Sequence, residues 1–172
     1  ISTSQGEITP VTGGATASSF TYYFVVSYQI VDQTSGFAIM FYDNDFGSPD
    51  TQFAIYLASD AISANKVAFD TLSDGIKDLA AAVNGKQLLT VKLDKVADNV
   101  KLYRNGTLLA TVATAATNGV DLTAKRQWFA IGGAGTGQYI GYIGTQFVFK
   151  EAHDDTTRAN VESYLMTKYG LP

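Results

Sequence analysis

The stretch from Val100 to Val112, VKLYRNGTLLATV, sets two alternating runs on either side of Asn105-Gly106. Both residues tolerate positive φ, which a type I′ turn needs at its two central positions, so the segment specifies a tight antiparallel hairpin. Several other alternating runs accompany it, and the chain has no cysteine. That combination points to an antiparallel β-sandwich rather than an α/β enzyme.

Phe20 to Val31, FTYYFVVSYQIV, is the first strong strand. Phe20, Tyr22, Phe24, Val26, Tyr28 and Ile30 form its apolar face, and Thr21, Tyr23, Val25, Ser27 and Gln29 form the other. Phe37 to Tyr42, FAIMFY, is continuously apolar, as expected of a strand covered on both faces. Gln52 to Leu57, Lys66 to Leu72, Gln87 to Asp94 and Gln127 to Ile131 read as further strands. Gly141 to Glu151 holds the last one, with Phe147 and Phe149 on one face and Val148 opposite. Asp74 to Val83 reads as a short helix or a loop, and Gly132 to Gly137 as a glycine-rich loop.

The C-terminus changes character. Asp154 is a good N-cap and Asp155 suits the positive end of a helix dipole. Val161, Tyr164, Leu165 and Tyr169 then recur at helical spacing, and Gly170 follows as a stop signal, which predicts a helix over 155–169. Residues 1–19 are small and polar and are expected to form an extended N-terminal arm or linker that can pack on a neighbouring subunit. Residues 20–172 then form one domain, a size that suits a single core. Because the chain opens on Ile1 rather than Met, residue 1 is expected not to be the native start.

Composition narrows the function classes. Apolar residues make up 46% of the 172 positions and charged residues 16%, too greasy and too weakly charged for a disordered chain. The net charge of −4 comes with scattered Lys and Arg, which disfavours a nucleic-acid surface. No apolar run approaches the roughly 20 residues that span a bilayer, so membrane insertion is not expected. Without cysteine, thiolate metal sites and cysteine nucleophiles are excluded, and the core alone must carry stability.

The hairpin, the FAIGG segment at 129–133 and the closing YIGTQFVFKEAHDDTTRANVESYLMTKYGLP together resemble the concanavalin-A-like lectin/glucanase superfamily. More narrowly, they resemble the laminin-G-like jelly-roll domains of bacterial and phage surface proteins. The helix pattern that carries this likeness is Val161, Glu162, Tyr164, Leu165, Lys168, Tyr169 and Gly170. The resemblance covers residues 87–172 best. It implies an all-β fold, a two-sheet antiparallel jelly-roll sandwich with one C-terminal α-helix. It also implies ligand binding, often of a glycan, on an extracellular, cell-surface or virion protein. The glucanase branch carries a Glu-x-Asp-x-x-Glu strand. This chain has no such segment and holds only Glu7, Glu151 and Glu162, so glycosidase activity is not carried over.

Candidate sites follow from residue chemistry. Aromatic rings stack on the apolar faces of sugars, and Tyr23, Tyr42, Trp128, Tyr139 and Tyr142 stand at positions where they can do so, although most aromatics of a sandwich are core. Tyr42, Trp128, Tyr139 and Tyr142 are the preferred ligand-binding set. Asp43, Asn44, Asp45 and Asp50 supply several oxygens in one loop and are the best calcium candidate, without EF-hand spacing. Asp94, Asp98 and Asn99 form a second acidic turn. Asp and Asn also populate ordinary turns, where they bond their own backbone. His153 is the single histidine and has no G-x-S-x-G partner, so it reads as a loop residue beside a capping Asp154. The glycine loop lacks the Gly-Lys-Ser/Thr of a phosphate cradle. Asn105-Gly106-Thr107 is formally a glycosylation sequon, but the turn already explains it.

The expected role is a non-catalytic, lectin-like recognition domain that binds a glycan or surface polysaccharide. The alternative is a structural virion subunit, a capsid decoration or tail-associated protein, that assembles through residues 1–19. A glycoside hydrolase ranks last.

Overall fold

In a computed structural model of the chain, the described residues are 19–28, 37–43, 53–58, 66–71, 75–81, 83–94, 96–113, 127–128, 132–134, 141–149 and 151–172. The strands, in chain order, are β1 (Phe20–Tyr28), β2 (Phe37–Asp43), β3 (Phe53–Ala58), β4 (Lys66–Thr71), β5 (Gly75–Ala81), β6 (Gly85–Asp94), β7 (Asn99–Arg104), β8 (Thr107–Ala113), β9 (Gln127–Trp128), β10 (Gly132–Ala134) and β11 (Gly141–Phe149). One helix, α1 (Asp155–Tyr169), closes the chain. The expected arm, residues 1–19, lies outside the described residues except for Ser19.

Two antiparallel sheets result. The first runs β11-β1-β6-β7-β8; the second runs β10-β2-β3-β4-β5, with β9 also pairing β2. All pairings are antiparallel, as the hairpin led us to expect. Asn105 and Gly106 both adopt positive φ (47° and 79°) between β7 and β8, as a type I′ turn requires. Asp74 to Val83, expected as a short helix or a loop, instead contains β5, which pairs β4 along its length. Cross-strand pairing outweighs the helical propensity of the DLAAAV run. Gly132–Ala134, expected to be part of the glycine loop, is a strand paired with β2, and residues 135–137 lie outside the described residues.

β1 is an inner strand of the first sheet, between β11 and β6. Phe20 through Val26 are all buried, on both faces. Phe20, Tyr22, Phe24 and Val26 lie on the same face as Leu89, Val91, Leu93, Val100 and Leu102, all fully buried or nearly so. A face this apolar is buried only by a second layer, which makes the fold a sandwich. The opposite face is covered by α1. There Tyr23, Val25 and Leu88 meet Leu165, with Phe147, Phe149, Val161, Met166 and Tyr169 packed around them.

The helix is bounded as the sequence specifies. Asp154 Oδ1 accepts the Thr157 N–H at 2.7 Å. Gly170 adopts the left-handed conformation (φ 61°), with Leu171 N donating to Met166 O and Gly170 N to Thr167 O. This is a Schellman ending, and both Met166 and Leu171 pack against the core cluster beneath the helix. Tyr164 is the exception to the expected stripe: it is 56% exposed, and the buried face runs instead through Val161, Glu162, Leu165 and Met166.

Candidate functional site

The sequence-derived candidates separate once they are placed in the fold. Tyr23 is fully buried, its hydroxyl 2.7 Å from His153 Nδ1, so it belongs to the core and not to a binding surface. The signal that misled was the alternation, which put Tyr23 on the polar face of β1, a face that α1 then covers. His153 lies in the loop beside the capping Asp154, as expected, but it is buried. It is 4% exposed, its ring packs on Phe149 with centroids 4.5 Å apart, and its backbone N–H donates to Thr21 Oγ1. Both ring nitrogens are occupied by structural neighbours, Tyr23 and Glu151.

Tyr42 and Trp128 are direct register partners in the β2–β9 ladder, and Asp43 is the partner of Gln127. Two candidates far apart in sequence thus occupy one rung. Tyr139 and the calcium candidates Asn44, Asp45 and Asp50 lie outside the described residues; Asp43 ends β2. The second acidic turn is spent on itself. Asp94 Oδ1 accepts the N–H groups of Val96 and Ala97 at 3.1 Å, and Asn99 Nδ2 donates to Ala97 O. Among the described residues no group of His, Asp and Glu is arranged to hold a metal ion.

Tyr142 is exposed, at 53%, on β11, the edge strand of the first sheet. Its register partner is Ser27. Between them and the rest of β11 the ladder slips: Phe24 opposes Gln146, whereas Val26 opposes Ile143. Two residues, Gly144 and Thr145, therefore stand opposite Val25, which is a β-bulge. The Tyr169 hydroxyl accepts the Thr145 N–H at 2.8 Å and also meets Thr145 Oγ1. A Cβ on Gly144 would lie 3.1 Å from three atoms of the Tyr169 ring end, so glycine is what lets the ring lie against the bulge.

Two lysines complete this surface. Lys86 donates to the Tyr169 carbonyl and lies 5.4 Å from the Tyr169 ring centre. Lys168 lies 5.5 Å from the same ring and 5.9 Å from that of Tyr164, and donates to Thr145 Oγ1 at 3.2 Å. Hydrogen bonds from Thr145 and the adjacent positive charge of Lys168 lower the Tyr169 pKa from its ordinary value. Sequence reasoning singled out Tyr142 as a candidate and did not group it with Tyr164, Tyr169, Lys86 or Lys168. Helical spacing assigned both tyrosines to the core, and nothing local links Lys86 to the helix end.

An open groove of about 560 Å³ lies between the β7–β8 turn and α1. Asn105, Gly106, Arg158, Glu162 and Met166 are among its walls. Arg158 stacks on Tyr103, 3.9 Å from the ring centre, and its Nη1 donates to Glu162 Oε2. Burial raises the Glu162 pKa above the ordinary carboxylate value, while Thr90 and Arg158 pull the other way. Glu162 Oε1 and Arg158 Nε are buried without a hydrogen bond among the described residues, so neither atom is offered to the groove.

These features define a class, the antiparallel β-sandwich with a C-terminal helix. No protein-family model matches the chain, and no curated protein sequence is significantly similar to it. Solved structures are similar in fold. The CBM40 of the Ruminococcus gnavus IT-sialidase, bound to α2,3-sialyllactose, superimposes with a TM-score of 0.61 at 21% identity, covering 85% of this chain and 83% of that one. The binding domain of botulinum neurotoxin DC, in complex with rat synaptotagmin II, gives 0.63 at 16% identity over 86% of this chain. A botulinum neurotoxin type C structure, from work on its dependence on two ganglioside molecules for cell entry, gives 0.59 at 17%. This chain spans 83% of the sialidase module but only 36% of each toxin chain.

Proposed function

We propose that the chain is a non-catalytic, lectin-like recognition module that binds a glycan and belongs to a secreted or surface-exposed protein of a microbe or phage. The observation that carries this reading is the reciprocal coverage with the sialidase CBM40, more than four-fifths of either chain, so that the shared unit is a whole binding module. Three of the described carboxylates already have structural roles. Asp154 caps a helix, Asp94 holds its own turn and Glu162 is paired with Arg158 beneath α1. None of them is free to serve as one half of the acid pair that glycoside hydrolysis needs.

A glycan microarray carrying neutral, sialylated and sulfated structures, followed by calorimetry on the best binder, tests the proposal. Saturable binding without release of reducing sugar is expected. An array blank at every position rejects glycan recognition, and turnover of a bound glycan rejects the non-catalytic role.

A further inference from the structure

The surface where the end of α1 meets the β11 bulge has a chemistry of its own. Lys86 and Lys168 are both exposed, and each ammonium lies within 5.5 Å of the centre of the Tyr169 ring. Among the described residues neither has a carboxylate partner; the ion pairs there involve Lys92, His153 and Arg158 instead. An ammonium has three N–H donors. Lys86 gives one to the Tyr169 carbonyl and Lys168 one to Thr145 Oγ1, which leaves donors on both. The chain as a whole carries a net charge of −4, so a pair of cations with no carboxylate partner among the described residues is distinctive. Tyr142 and Tyr164, at 53% and 56%, are among the few large exposed apolar side chains of the described residues.

We propose that this cluster holds an acidic glycan, with the sugar's anionic group against Lys86 and Lys168 and an apolar ring face on Tyr142. The chemistry is that of a charge-assisted clamp beside an aromatic platform. Tyr169, fixed by Thr145 and Gly144, is the rigid element on which both lysines rest. Two anions satisfy the clamp, a carboxylate and a sulfate. The inference deepens the recognition role proposed above and rests on it.

Calorimetry with sialyllactose, sulfated lactose and lactose separates the cases, using the intact protein, K86Q/K168Q and Y142A. Both variants alter exposed side chains, and circular dichroism with thermal melting establishes that they fold. The acidic sugars are expected to bind about tenfold more tightly than lactose, with the advantage shrinking as salt is raised. K86Q/K168Q is expected to lose that advantage, and Y142A to weaken acidic and neutral sugars alike. The better of the two acidic probes identifies the anion. Glycan binding that is indifferent to charge, or unchanged in both variants, overturns this site while leaving glycan recognition intact. Failure of every probe here and on the microarray removes both.

Discussion

The Tyr169 hydroxyl accepts the backbone N–H of Thr145 at 2.8 Å, and Thr145 is the residue that the β11 bulge takes out of register. A bulge leaves a main-chain group without a ladder partner. Here the last residue of the helix supplies the partner, so the bulge and the helix end are specified together. Tyr169→Phe keeps the ring and removes the acceptor, and is expected to cost about 1 kcal/mol. Gly144→Ala places a methyl 3.1 Å from a ring that Thr145 holds in place, and is expected to cost about 1–3 kcal/mol by overpacking. Urea denaturation checks both. Combining Gly144→Ala with Tyr169→Ala should recover the packing part of the Gly144 penalty, and strict additivity would contradict the contact.

The β7–β8 turn carries a second dual specification. Asn105 N donates to Leu88 O, and Asn105 Oδ1 accepts from Leu88 N, both at 2.9 Å. Its side chain thus extends the β6–β7 ladder by one step past Arg104. Asn105→Gly keeps the positive φ and loses the acceptor, whereas Asn105→Ala loses both. The glycine variant is expected to lose about 1 kcal/mol and the alanine variant more, because an L-residue with a Cβ resists that conformation. Equal losses in chemical denaturation would show that φ is not limiting there.

The two turns illustrate what was legible in the sequence. Asn105-Gly106, Asp154 and Gly170 act through their own backbone, so a local pattern identifies them, and each occupies its expected role. The faces of β1 were legible only in part. Alternation separates Tyr22 from Tyr23, but whether the Tyr23 face meets water depends on where a helix more than 130 residues away is laid down. Tyr164 fails for a related reason, since spacing fixes a stripe but not its rotation against the sheet. The Lys86–Tyr169–Lys168 cluster left no local trace at all, because a strand start, a bulge and a helix end meet only after folding. Tyr42 and Trp128 were chosen one by one, and their shared rung is a property of register.

Beneath the helix, Arg158 and Glu162 form a pair that is unequal in its dependence on each partner. Glu162 is 2% exposed and its carboxyl pKa is raised by burial. Arg158→Ala strands that charge and is expected to cost about 3 kcal/mol at neutral pH. Arg158→Ala combined with Glu162→Gln should recover much of the loss. A folded pKa above the unfolded one means that stability is fully present below the ordinary carboxylate range and is lost as pH rises through the raised value. The deficit of Arg158→Ala should therefore shrink as the medium is acidified, and a deficit that grows on acidification would refute the assignment.

Asp154 responds to acid in the opposite sense. Its pKa is lowered, first by the Thr157 backbone N–H and then by the Thr157 side chain. The stability it contributes is present above the ordinary Asp value and is lost as pH falls through the lowered one. Asp154→Asn keeps a capping oxygen that does not titrate, and Asp154→Ala keeps none. The alanine variant is expected to melt earlier than wild type at neutral pH and to converge on it in acid, with asparagine staying close to wild type at neutral pH. Helix unfolding followed by far-ultraviolet circular dichroism across an acid series reads this directly. An alanine variant whose deficit persists unchanged at the lowest pH would mean that the Asp154 carboxylate charge contributes nothing to the cap.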